Sequence, residues 1–378
     1  MLPRSFCLAL VWLTLNTARA ATMDITYNLV PANAQVAIDH AASIWEGVLT
    51  SPTPIKVLVN WAPLGASALG ITFPNGRKDF PGAPLPQTWY ATALANALAG
   101  SELNPGENDI EIYLNSGTNW YLGTDGMPGA GQYDLVSIAL HEMGHGLGFV
   151  GLAKKTGPQG SFGLLQMSDF SPLITTFPWP QLDTVPGIFD RFLRASDQSL
   201  LADLPNPSDA LGSLMTSNAV NWGGALGLAA SGGSTIRIYS PSAFALGSSC
   251  VHLNESTYPS GNPNELMTPF SSVGNANHWP GPICLGMLQD IGWTLAPDVG
   301  LEDHPGRSLQ VYPNPASTEL HVDLAGHPTI LIVRISDPEG RVLITQVNDA
   351  PIEVGRLAAG LYWLDVPELG LRNRFVKQ

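Results

Sequence analysis

The sequence is poor in cysteine, in charge and above all in basic residues. Of 378 residues only three are Cys and 13% are charged, and 17 Lys and Arg face 31 Asp and Glu, a formal net charge of −14. No cluster of five or more Lys or Arg occurs, so the electrostatic footprint of a nucleic-acid-binding protein is missing. No apolar run reaches the roughly 20 residues of a spanning helix, and no transmembrane segment is expected in the mature chain. Internal repeats and low-complexity tracts are absent as well. With 44% hydrophobic residues the chain is too apolar for a disordered one, and its length allows more than one domain. What it has in quantity is Gly (39) and Pro (32), which suggests long loops over a compact scaffold rather than a helical bundle.

Residues 1–21 read as a secretory signal peptide, with Arg4, an apolar run from Phe6 to Leu15, and small residues at Ala18 and Ala20 before a cut after Ala20 or Ala21. Cleavage removes Cys7 and leaves Cys250 and Cys284, natural disulfide partners in an oxidising compartment. Closing that loop would be worth roughly 3.5–4 kcal/mol. Two separate buried thiols are the alternative. Neither cysteine has a partner base beside it, so neither reads as a nucleophile.

Apolar spacing predicts a helix over 34–49, a strand over 55–61, a loop-rich stretch over 62–107 with a helix near 88–99, and a second strand over 109–114. A helix capped by Asp134 runs to Leu147 and ends at glycines 146, 148 and 151. Residues 152–249 read as an irregular insertion, and 282–292 as the last helix. The domain over 22–296 is thus α+β. A linker at 297–307 separates it from 308–378, where seven short strands read as a small all-β sandwich.

One motif carries chemistry: His141-Glu142-Met143-Gly144-His145 on the capped helix. Imidazoles at i and i+4 share a helical face and can hold one Zn²⁺, while the glutamate beside the first can take a proton from a water that the metal acidifies. The chemistry this suits is amide hydrolysis. Extended as His141-Glu-Met-Gly-His145-Gly-Leu-Gly148-Phe149, the run resembles the first part of the metzincin signature. It departs from it at Gly151, which stands where the third histidine ligand should be. The segment His252 to Glu265-Leu266-Met267 resembles the leishmanolysin-like metzincins, in which an insertion separates the helix from the third His and a Met-turn follows.

That resemblance implies a twisted sheet with an active-site helix and an irregular C-terminal subdomain, one catalytic zinc on His141, His145 and His252, Glu142 as general base, and Met267 beneath the metal. His252 precedes Met267, as the family order demands, whereas His278 follows it; an acidic third ligand, Asp169 or Glu255, would leave the Glu-Leu-Met segment unexplained. A disulfide between Cys250 and Cys284 would fasten the His252 segment to the last helix. By the same resemblance Asp109–Asn115 is the candidate edge strand that pairs with an extended peptide. The loop Gly123–Asp134 does not decide for or against calcium, and no cysteine-switch propeptide is expected.

The last domain resembles the type A sorting domain of type IX secretion, through Val311-Tyr-Pro-Asn-Pro-Ala-Ser317, Asp337-Pro-Glu-Gly-Arg341 and Leu357-Ala-Ala-Gly-Leu-Tyr362. This implies a Gram-negative host, the secretion machinery as partner and a destination outside the cell or on its surface. The expectation is a secreted zinc endopeptidase acting on protein or peptide substrates. The other reading is an exported binding or adhesion protein with a structural or degenerate zinc site.

Overall fold

Four strands form the main sheet: β1 (Met23–Asn28), β2 (Ile55–Ala62), β3 (Gly70–Pro74) and β4 (Ile110–Asn115), in the order β1-β2-β4-β3. The computed structural model describes residues 19–66, 68–170, 184–296, 309–324, 332–337, 341–347, 351–366 and 371–378. Nearly all of the expected signal peptide, the 297–307 linker and part of the 337–341 turn therefore lie outside the described residues. β1, β2 and β4 run parallel, and only β3 is antiparallel. Parallel strands need crossovers, and helices supply them: α1 (Ala32–Val48) between β1 and β2, and α2 (Thr92–Ala99) between β3 and β4.

The metal-motif helix, α3 (Leu135–Gly146), packs beside α1, and the Trp45 indole N–H donates to the Leu140 carbonyl at 3.0 Å. α3 lies close on the sheet, for a Cβ at Gly146 would fall 2.4 Å from the Ile110 side chain. The last helix of this domain, α4 (Pro282–Ile291), is tied to the end of α3 by Trp293, whose indole donates to the Leu147 carbonyl at 2.6 Å. The insertion folds around a chain of packed rings, Phe149, Phe189, Trp222 and Phe192 in succession, with centroids 4.8–4.9 Å apart. Asp290 of α4 fastens it, accepting from the Trp222 indole and from the Leu226 and Gly227 amides.

Two expectations are corrected. The 109–115 strand is not the edge: as β4 it is paired on both sides, and its outward Glu111 is buried against the Tyr113 hydroxyl at 2.9 Å. The edge strand beside α3 is β3, a short strand whose Gly and Pro ends hide the period-two signal; β1 is the opposite edge. Nor are Cys250 and Cys284 bridged. They are separate thiols, both fully buried, with the Cys250 sulfur against the Met215 carbonyl and Cys284 in the buried face of α4. Burial pushes both thiols up, away from the thiolate form.

The C-terminal residues have their own core. Strands β5 (Leu309–Tyr312), β6 (Glu319–Leu324) and β9 (Ile352–Glu353) form one antiparallel sheet. β7 (Ile332–Ser336), β8 (Val342–Val347), β10 (Gly360–Val366) and β11 (Leu371–Lys377) form another, in the order β8-β7-β10-β11. Leu320, Ile335, Leu364 and Phe375 fill the core, which shares no residue with the N-terminal one.

Candidate metal centre

α3 is anchored at its start by Asp134, whose carboxylate accepts from the Ser137 amide and hydroxyl and from His278 Nε2, each at 2.7–2.8 Å. His278 is thereby committed to the helix cap and stays out of the cluster. About two and three turns later His141 and His145 project from one face. Past α3 the chain reverses through Gly148 at φ 111°, a conformation that a side chain would strain. The reversal returns the Phe149 carbonyl to His145 Nδ1 at 2.6 Å.

His252 arrives from 107 residues further on. Its backbone carbonyl accepts from the Tyr239 amide, and Leu253 next to it donates to the Met267 carbonyl at 2.8 Å. Gly151 explains where this segment docks. A Cβ there would lie 2.5 Å from Asp190 Oδ1, 3.0 Å from Val251 Cγ1 and 3.2 Å from the Cys250 carbonyl. The position at which the compact signature has its own histidine is the floor on which the His252 segment rests.

The three Nε2 atoms form a triangle of 3.0 Å (His141–His145), 3.1 Å (His145–His252) and 3.3 Å (His141–His252). Each Nδ1 faces a backbone carbonyl: Leu266 for His141 at 2.6 Å, Phe149 for His145, and Ser248 for His252 at 3.0 Å. A carbonyl can only accept, so each Nδ1 carries the ring proton and each Nε2 presents a lone pair. Three lone pairs meeting without a proton repel one another unless a cation stands between them. Nitrogens about 2.0–2.1 Å from a tetrahedral zinc would be roughly 3.3 Å apart, so the donor set fits that ion. Burial lowers all three imidazoles, His252 to about 3, which keeps them neutral as ligands must be. Among the described residues this is the one such group of potential ligands; Asp169 is instead paired with Lys154 at 2.7 Å.

Met267 packs against α3. It is fully buried, and a Cβ at Gly144 would be 2.8 Å from its sulfur, so the Gly of the motif gives the thioether its place. Glu142 is buried beside the ligands. Burial pushes its carboxyl up to about 7, against the lowering effect of the Thr72 hydroxyl, which donates to Oε2 at 2.7 Å. Gly70 leaves the room, since a Cβ there would be 2.5 Å from Glu142 Oε1. Sequence reading missed Thr72, Gly70 and the three carbonyls. Nothing local marks the first two, and backbone acceptors leave no mark in a sequence.

The centre opens on a cleft of about 470 Å³, walled on one side by residues 68–74 of the β3 segment and on the other by Thr268–Ser271 and the 150–153 segment. Most of the wall is apolar, with Leu69, Ile71, Leu165, Phe170 and Phe270 prominent.

Residues 310–372 match the secretion system C-terminal sorting domain. No curated protein and no solved structure was found to match the chain. The chain thus carries a type IX sorting domain, which implies export through that machinery and a secreted or cell-surface location. No helix among the described residues is long and apolar enough to cross a membrane.

Proposed function

We propose that residues 22–296 form a zinc-dependent endopeptidase of the leishmanolysin-like metzincin type, exported by the C-terminal domain. The observation that carries this reading is the convergence of three Nε2 atoms, each opposite an Nδ1 that faces a carbonyl, beside a buried carboxylate at the floor of an open cleft. Zinc held there would supply Lewis acidity, polarising the scissile carbonyl and acidifying water. His141, His145 and His252 would hold the ion, their orientation fixed by the Leu266, Phe149 and Ser248 carbonyls. Glu142 takes a proton at its carboxylate and returns it to the departing amine. The edge strand β3, paired by β4 on one side among the described residues, aligns an extended peptide across the cleft.

A structural site would need a closed fourth ligand and no base. Three donors facing a cleft, with Glu142 alongside, favour catalysis over the adhesion reading.

The test uses the purified exported protein. Wild type is expected to hold about one zinc and cleave a casein-type substrate, consistent with three protein ligands. Glu142→Gln is expected to keep zinc and lose roughly 10²–10⁴-fold in kcat; His252→Ala is expected to lose both metal and activity. Zinc without cleavage in wild type would move the binding-protein reading ahead. Full activity in His252→Ala would sink the ligand assignment.

A further inference from the structure

We propose that Thr72 is a positioning residue that couples the pairing of a peptide on β3 to the orientation of Glu142, an inference that rests on the peptidase reading above. The Thr72 hydroxyl donates to Glu142 Oε2 at 2.7 Å, and among the described residues it is the only side chain or amide that hydrogen-bonds that carboxylate. Two positions earlier on the same strand face, Gly70 leaves the space that Oε1 occupies. The base is therefore seated by one strand, through a bond at one position and a missing side chain at another.

The terminal torsion of a glutamate is broad and roughly two-fold, so burial alone does not orient its oxygens. The Thr72 bond does. The strand that provides it is five residues long and paired on one side only, by β4, among the described residues. Short edge strands are the least constrained part of a sheet, and they gain order when a second strand adds to them. The residues of β3 line the cleft, where an extended substrate would add to the strand. Backbone pairing of a long peptide then holds β3, β3 holds the Thr72 hydroxyl, and the hydroxyl holds the base. Binding energy remote from the scissile bond is expressed in kcat rather than only in KM.

The experiment uses the full zinc-loaded chain and two quenched peptides with the same scissile pair. The short one is about four residues long, too short to span β3; the long one has about ten, at roughly 3.3 Å per residue. Wild type is expected to show about tenfold higher kcat on the long peptide. Thr72→Val keeps the β-branched shape; on the long peptide its kcat is expected to fall by about ten- to a hundredfold with KM nearly unchanged, and the dependence on length to vanish. Thr72→Ser is expected to restore both, with zinc content and Tm unchanged in the two variants. The proposal is overturned if Thr72→Val retains the rise of kcat with length, if wild type shows no such rise, or if the loss comes with lost zinc or a lowered Tm. Zinc-loaded wild type that cleaves neither these peptides nor casein would instead overturn the peptidase reading itself.

Discussion

At the scale of single residues, the candidate centre is held more by glycines and carbonyls than by its named ligands. Gly144 makes room for Met267, Gly70 for Glu142, and Gly151 for the segment that brings His252. Gly151 yields a direct prediction. Gly151→His would write the compact three-histidine signature into the chain, yet its side chain would run into Asp190, Val251 and the Cys250 carbonyl. Overpacking of this kind typically costs about 1–3 kcal/mol, and here it would push His252 away from His141 and His145. The expected outcome is a lowered Tm in thermal unfolding and a loss of bound zinc, with no gain in activity. A variant that kept wild-type stability and zinc would show that residue 151 is not the floor of the His252 segment.

Among the elements, those with strong periods could be read and those without could not. The spacing in 34–49, 55–61 and 282–292 predicts elements found at Ala32–Val48, Ile55–Ala62 and Pro282–Ile291. The i, i+4 histidines and Glu142 are visible because one helix turn sets their geometry. β3 is not visible, because five residues ending in Gly and Pro show no alternation, and it supplies Thr72. β1 is hidden by its position directly behind the signal-like segment. The insertion is not legible because its order comes from packed aromatic rings and from buried acids contacting backbone amides. Asp190 is one of these, accepting from the Leu152 and Gly187 amides at 2.9 and 2.8 Å while wholly buried. Burial raises its carboxyl to about 7, so the folded chain holds a proton there that the unfolded chain releases near pH 4. The sign follows from linkage: this group stabilises the fold fully below about pH 4, and its contribution is lost as pH rises towards 7. Asp190→Asn removes the titration and is expected to flatten that part of the stability–pH curve, measured by denaturant unfolding between pH 4 and 7. An unchanged slope would mean that Asp190 is ionised in the fold.

On the scale of the whole molecule, the main N-terminal core and the C-terminal core share no residue, so the part that holds the candidate centre and the part that directs export are built separately. The sorting domain is legible in its turn-and-strand motifs, and residues 310–372 match that family; in the N-terminal domain the periodic helices and strands are legible, and the contacts that bring distant segments together are not. Separate cores make the division of labour testable by deletion. Every donor of the candidate centre, the β3 edge and the cleft walls lies before residue 297. A chain ending at residue 296 keeps α4 and the short pair of Thr294–Leu295 with Leu49–Thr50 that closes the N-terminal core. It is therefore expected to fold, to hold zinc as the full chain does, and to cleave peptides with kcat within about twofold, a difference worth only ~0.4 kcal/mol. Expressed in a host with type IX secretion, the same deletion is expected to stop at the periplasm, read as loss of the protein from the medium and the cell surface. If the truncated chain folded but lost zinc or activity, the C-terminal domain would be completing the centre rather than only addressing it, and the separation seen in the cores would not extend to function.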